Sequence, residues 1–151
     1  MQKTIKQAFN EYLGEQEKLL APRTYNYHKD AVVYLEHCLN GYGPNRLHEA
    51  DTKKFDEAYE KGVEFCDLFE PQILDSLHFS EFLGYFYPKK AALGRDSAKK
   101  ICGAAINLYK WLVKKKYILQ EEEGDQIELS EAVNYLRETF NEGYGAILQL
   151  R

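Results

Sequence analysis

Apolar residues recur at helical spacing along nearly the whole chain, and this pattern removes most folds from consideration. Ile5, Ala8, Phe9, Tyr12 and Leu13 stand at i, i+3, i+4, i+7 and i+8, the stripe of an amphipathic helix that ends near Leu20. Ala21-Pro22 stops it, because a proline disfavours helix in the residue before it and fits the first turn of a new one. A second helix is predicted to about Leu39, with Tyr25, Val32 and Leu35 among its apolar positions, closing at Asn40-Gly41. GYGPNRL reads as a loop. The stretch 48–65 reads as a weaker helix interrupted at Gly62, and Asp75 as the cap of a buried helix through Phe86. Pro88 to Gly94 reads as a basic loop. A long helix capped by Asp96 or Ser97 follows, with Ile101, Ala104, Ala105, Leu108, Trp111 and Leu112 as its core stripe. A final amphipathic helix is predicted from Ser130 to about Asn141. The fold class is all-α, a compact bundle of five or six helices. Residues 1–118 form the body; 119–151 supply an acidic linker and a C-terminal helix packed on the same domain.

The chain has 151 residues, enough to bury a core, and is 44% hydrophobic and 29% charged, which excludes a disordered class. No apolar run reaches the ~18 residues of a membrane span, so no membrane partner is expected. Three cysteines, Cys38, Cys66 and Cys102, are odd in number and far apart, against both a disulfide framework and a zinc site. A cytoplasmic protein with reduced thiols is expected, with no metal and no cofactor. Asp75 and His78 stand at carboxylate–histidine spacing, but no second such pair exists to complete a two-metal site.

Charge is uneven. The formal net charge is −4, yet residues 89–116 hold nine basic side chains and one acid, while 47–88 hold three basic and ten acidic. A local basic patch captures a phosphate backbone whatever the sign of the total. Lys89, Lys90, Arg95, Lys99, Lys100 and Lys110 are the candidate phosphate contacts, with Asn107 as the candidate reader of a base edge. Gly103 would let that helix lie close to a duplex. Cations near a helix N-terminus oppose its dipole and call for an anion, whereas Lys114, Lys115 and Lys116 at the far end are favoured by the dipole alone. Arg23, Thr24, His28 and Lys29 open the second helix, where free amides suit a phosphate oxygen and ordinary capping is the competing account.

Two segments, FNEYLGEQEKLLAPRTYNYHKDAVVYLEHCL and SAKKICGAAINLYKWLVKKKYI, resemble the N-terminal core-binding (SAM-like) domain of tyrosine recombinases and phage integrases. The resemblance lies in a Phe-x-x-Tyr-Leu helix, a break, a Thr opening the next helix, and an aromatic helix end leading out through lysines. It covers roughly residues 3–118. It departs from the family pattern at His28, where a Tyr is usual, and in a long acidic segment over 47–75. It implies an integrase-like, double-stranded DNA-binding module from the machinery of DNA recombination and integration. The catalytic half is not found: none of His28, His37, His48 and His78 is followed three residues later by Arg, and 33 residues follow Ile118. DNA binding without catalysis is therefore the expectation; both a stand-alone relative and a piece of a longer integrase fit it. The alternative is a helical protein–protein interaction module with no nucleic acid. Self-association or a protein partner through the 130–141 helix belongs to that account.

Overall fold

The computed structural model describes residues 3–90, 95–118 and 125–149, all in helices or their connections. Helix α1 (Ile5–Leu19) begins where Thr4 accepts a hydrogen bond from the Gln7 amide at 3.2 Å, and the Gln7 side chain accepts one from the Thr4 amide at 2.9 Å. This reciprocal capping satisfies two amides that a helix start leaves without partners. Ile5, Ala8, Phe9 and Tyr12 are buried along one side, as their spacing predicts.

Helix α2 (Pro22–Tyr42) starts on Pro22 and outruns its expected stop at Asn40-Gly41. GYGPNRL is not an open loop: Gly41 and Tyr42 finish α2, and Gly43–Arg46 form a 3-10 turn. Tertiary packing overrides the local stop signal. The Tyr42 ring meets Tyr85 and Phe86 edge-on. The Asn40 side chain, instead of ending α2, accepts a hydrogen bond from the Cys66 amide at 3.0 Å. Gly43 makes room for Phe65, since a Cβ there would stand 2.9 Å from the buried ring and force it to shift.

Helix α3 (Glu49–Glu60) ends two residues before Gly62, whose φ of +81° is the left-handed conformation glycine adopts without penalty. The short α4 (Phe65–Leu68) leads to α5 (Ser76–Glu81), capped by Asp75 through the Leu77 amide at 2.9 Å. His78 bonds back to that cap. The Asp75–His78 spacing, a carboxylate–histidine pattern in the sequence, is thus a capping pair.

The segment expected as a loop from Pro88 is helical as far as it is described. After α5 the chain widens into a π turn (Phe82–Phe86) and continues as α6 (Tyr87–Lys90), one unbroken rod. Pro88 has no N–H to give the Gly84 carbonyl four residues back, which an α-helix would require. The chain absorbs this by widening the turn just before the proline, where the Tyr87 amide bonds back five residues to Phe82. Helix α7 (Arg95–Lys114) then crosses α2, with Ile101, Ala104, Ala105, Leu108 and Leu112 buried. Asp96 and Ser97 lie inside its first turn and are not its N-cap. It ends at Lys114, and Lys116, two residues on, stands at φ +63°.

Helix α8 (Asp125–Gln149) is much longer than the predicted 130–141 and includes Asp125 and Gln126 of the expected linker. Residues 119–124 lie outside the described set. Its apolar side (Val133, Leu136, Phe140) is buried against α5 and the π turn, so this chain covers the face offered for a partner. Counting the α5–α6 rod as one, seven helices are described, against five or six predicted. The three cysteines are buried free thiols; burial pushes Cys38 and Cys102 up to about 12. No described helix is long and apolar enough to cross a membrane.

Helix α8 meets the rod glycine on glycine: a Cβ on Gly143 would run into the Gly84 carbonyl oxygen, the acceptor to which Pro88 has no N–H to give. Gly143→Ala should therefore lower unfolding free energy by about 1–3 kcal/mol, the usual cost of overpacking. A urea titration checks this; an unchanged midpoint would show that the contact is dispensable.

Candidate nucleic-acid interface

Two sequence-distant groups of candidate residues meet at one place. The start of α2 lies against the first half of α7, and between them is an open cleft of about 280 Å³ lined by Arg23, Thr24, Tyr27, His28, Lys100 and Gly103. Pro22 sets the direction of α2 here, and Ala21 carries no capping side chain. The first intrahelical bond at this end runs from the Tyr25 amide to Ala21 at 2.9 Å. The Arg23 and Thr24 amides precede it and have no acceptor within the helix. The competing account is ordinary capping, with Thr24 or a neighbour closing the first turn; the N-cap residue itself, Ala21, makes no side-chain cap.

Lys100 stands over the Tyr27 ring, its ammonium 5.1 Å from the ring centre. The aromatic face holds the cation at the cleft, and no carboxylate among the described residues pairs with it. Gly103 forms open floor, because a Cβ there would meet nothing within 4 Å.

His28 is not a surface histidine. It is only 9% exposed, and its Nδ1 lies 2.6 Å from the hydroxyl of the fully buried Tyr12. The Asn107 amide donates to the same hydroxyl at 3.1 Å. Asn107, assigned from sequence to a base edge, therefore commits one amide hydrogen to Tyr12 while the residue stays exposed. Burial lowers the His28 pKa and raises that of Tyr12 to about 12. Both groups are neutral near pH 7.

The remaining candidates surround the cleft or fall elsewhere. Lys99 is exposed and Lys110 half-buried on α7, and neither lines the cleft. Lys29 is exposed beyond it, 5.9 Å over the Tyr25 ring. The assignments of Lys89, Lys90 and Arg95 rest on side chains outside the described residues; their backbones lie on α6 and α7. Lys115 serves the fold, pairing with Glu15 at 3.5 Å and lying over Trp111. Tyr12 and Tyr27 were not picked out as site residues. The signal for Tyr12 was present, since its helical register and that of His28 both point inward.

No family model, no curated protein and no solved structure matches the chain.

The buried neutral His28 has a consequence for stability. Its folded pKa is below the unfolded value of ~6.5, so the unfolded chain binds more protons in mild acid. This contribution is complete above the unfolded pKa and is lost progressively as pH falls toward the folded one. Chemical denaturation at pH 7.5 and 5.5 should show a larger loss for the wild type than for His28→Gln. Equal losses would mean that His28 is not buried as a neutral ring.

Proposed function

We propose that the protein is a non-catalytic module that binds double-stranded DNA, in the manner implied by its resemblance to the core-binding domain of tyrosine recombinases. The observation that carries this reading is the convergence of Arg23, Thr24, His28 and Lys100 on one open cleft. Two cations, a hydroxyl, an imidazole and two helix-start amides without intrahelical acceptors are the donor set a phosphate diester requires. Gly103 leaves room above the cleft floor, and Lys99 and Lys110 extend the positive surface along α7. Phosphate contacts of this kind supply affinity and register on the duplex, with little sequence information.

Fluorescence anisotropy with a labelled 30-base-pair duplex tests the reading. The logarithm of the binding constant should fall linearly with the logarithm of salt concentration, with a slope of about 0.9 per phosphate neutralised. Lys100→Gln should make that slope shallower by about one. Gly103→Leu is the more telling variant. It exchanges a helix-interior glycine for a better helix former at a site with space, which should stabilise the fold by up to about 1 kcal/mol. It also fills the cleft and should weaken binding. A more stable protein that binds DNA less well is not the mark of general damage. Absence of binding to pooled random duplexes by the folded wild type would overturn the proposal.

A further inference from the structure

The hydroxyl of Tyr12 determines which form of His28 faces the cleft. Tyr12 is 0% exposed, and its hydroxyl has two hydrogen-bond neighbours, the Asn107 side chain and His28 Nδ1. A phenol has one proton to give. Asn107 presents an N–H to the oxygen, so it does not take that proton. Left unplaced in the core, the proton would incur the full penalty of a buried, unpartnered donor. It therefore goes to His28 Nδ1, which acts as an acceptor. A neutral ring whose Nδ1 accepts carries its own hydrogen on Nε2.

The ring lines the cleft while its Nδ1 edge is committed to Tyr12. Its Nε2, the edge turned away from Tyr12, has no hydrogen-bond partner among the described residues, and the ring belongs to the lining of the open cleft. The charged groups beside the ring are Arg23 on its own helix and Lys100 on α7. Burial is what disfavours the charged form of the ring. Tyr12 from α1 and Asn107 from α7 are uncharged. No described carboxylate is bonded to the ring.

We propose that His28 binds a backbone phosphate oxygen as a neutral Nε2–H donor, and that Tyr12 and Asn107 are positioning residues that hold it in this tautomer. The inference rests on the DNA reading of the cleft and adds a division of labour within it. Arg23 and Lys100 bring charge; His28 brings a directed donor that does not depend on its own protonation. A site built on imidazolium would bind more tightly as pH falls through the histidine range. This one should bind with nearly constant affinity from pH 8 to 6.5.

The test begins on the wild-type protein with long-range proton–nitrogen NMR of the histidine rings at neutral pH. His28 should give the pattern of an Nε2–H tautomer, and its Nε2 signal should move when the 30-base-pair duplex is added. An Nδ1–H tautomer, an imidazolium, or an Nε2 signal indifferent to bound duplex would overturn the proposal. Variants give a second readout. His28→Asn keeps a polar atom near Tyr12 and removes the Nε2 donor, and should weaken duplex binding on the order of tenfold, the scale of one hydrogen bond to a charged group. His28→Gln places an amide N–H near the Nε2 position and should recover part of that loss. Tyr12→Phe keeps the ring buried but removes the donor to Nδ1, and should turn the single Nε2–H pattern into a mixture of tautomers and weaken duplex binding, a change that a purely structural tyrosine would not produce. If Lys100→Gln weakens binding while His28→Asn binds as wild type, this inference fails and the DNA reading stands. If the wild type binds no duplex, both fail.

Discussion

The packing of α7 across α2 fixes where every charged group of the candidate site can stand. The buried side of α7 is rich in small residues, Ala98, Cys102, Ala104 and Ala105, all at most 5% exposed. Small side chains let two helices approach closely, and the apolar area they remove from water holds them there. Once that side is committed, the opposite side of α7 must carry its lysines toward solvent. Lys100 and Gly103, at the boundary between the two sides, come to lie beside the uncapped start of α2. The cleft is thus a by-product of core packing.

The polar chemistry at this boundary follows from the same constraint. Bringing α1, α2 and α7 together buries the Tyr12 hydroxyl where no water reaches it, and such a group must find partners or destabilise the fold. His28 and Asn107 supply them. The link is economical in charge: all three groups are neutral, so the core accepts them without the desolvation penalty of an ion. Charged groups are kept to the rim, where Lys100 is held over an aromatic ring and Lys115 pairs with Glu15. The acidic character of the whole chain is therefore no obstacle to a basic cleft, because at ordinary ionic strength charges beyond about 8–10 Å are screened from one another.

Much of this was legible in the sequence, and what was not has a physical reason. Helices α1, α2 and α7 show in the apolar period because each buries one continuous side. The Thr4 cap, the Asp75 cap and the Gly62 stop are local chemistry, visible over a few residues. Pro88 misled, since its neighbours read as a loop; the π turn that accommodates it is packed against α8, a segment much later in the chain. Tyr42 misled likewise, kept helical past Gly41 by rings from a later rod. At the site, sequence selected Arg23, Thr24, His28 and Lys100 on charge, helix position and resemblance, and all four share the cleft. It did not pair His28 with Tyr12, nor foresee that Asn107 is partly committed to that tyrosine. Such pairings are set by how helices cross, information no single segment contains.

Amide chemical-shift mapping tests the central claim most directly. The duplex would be added stepwise to isotope-labelled protein, and perturbations followed residue by residue. The account predicts the largest shifts at the Arg23, Thr24, Lys100 and Gly103 amides, with the acidic α3 and the outer side of α8 unmoved. Shifts centred on α3 or α8, or scattered evenly over the surface, would contradict it.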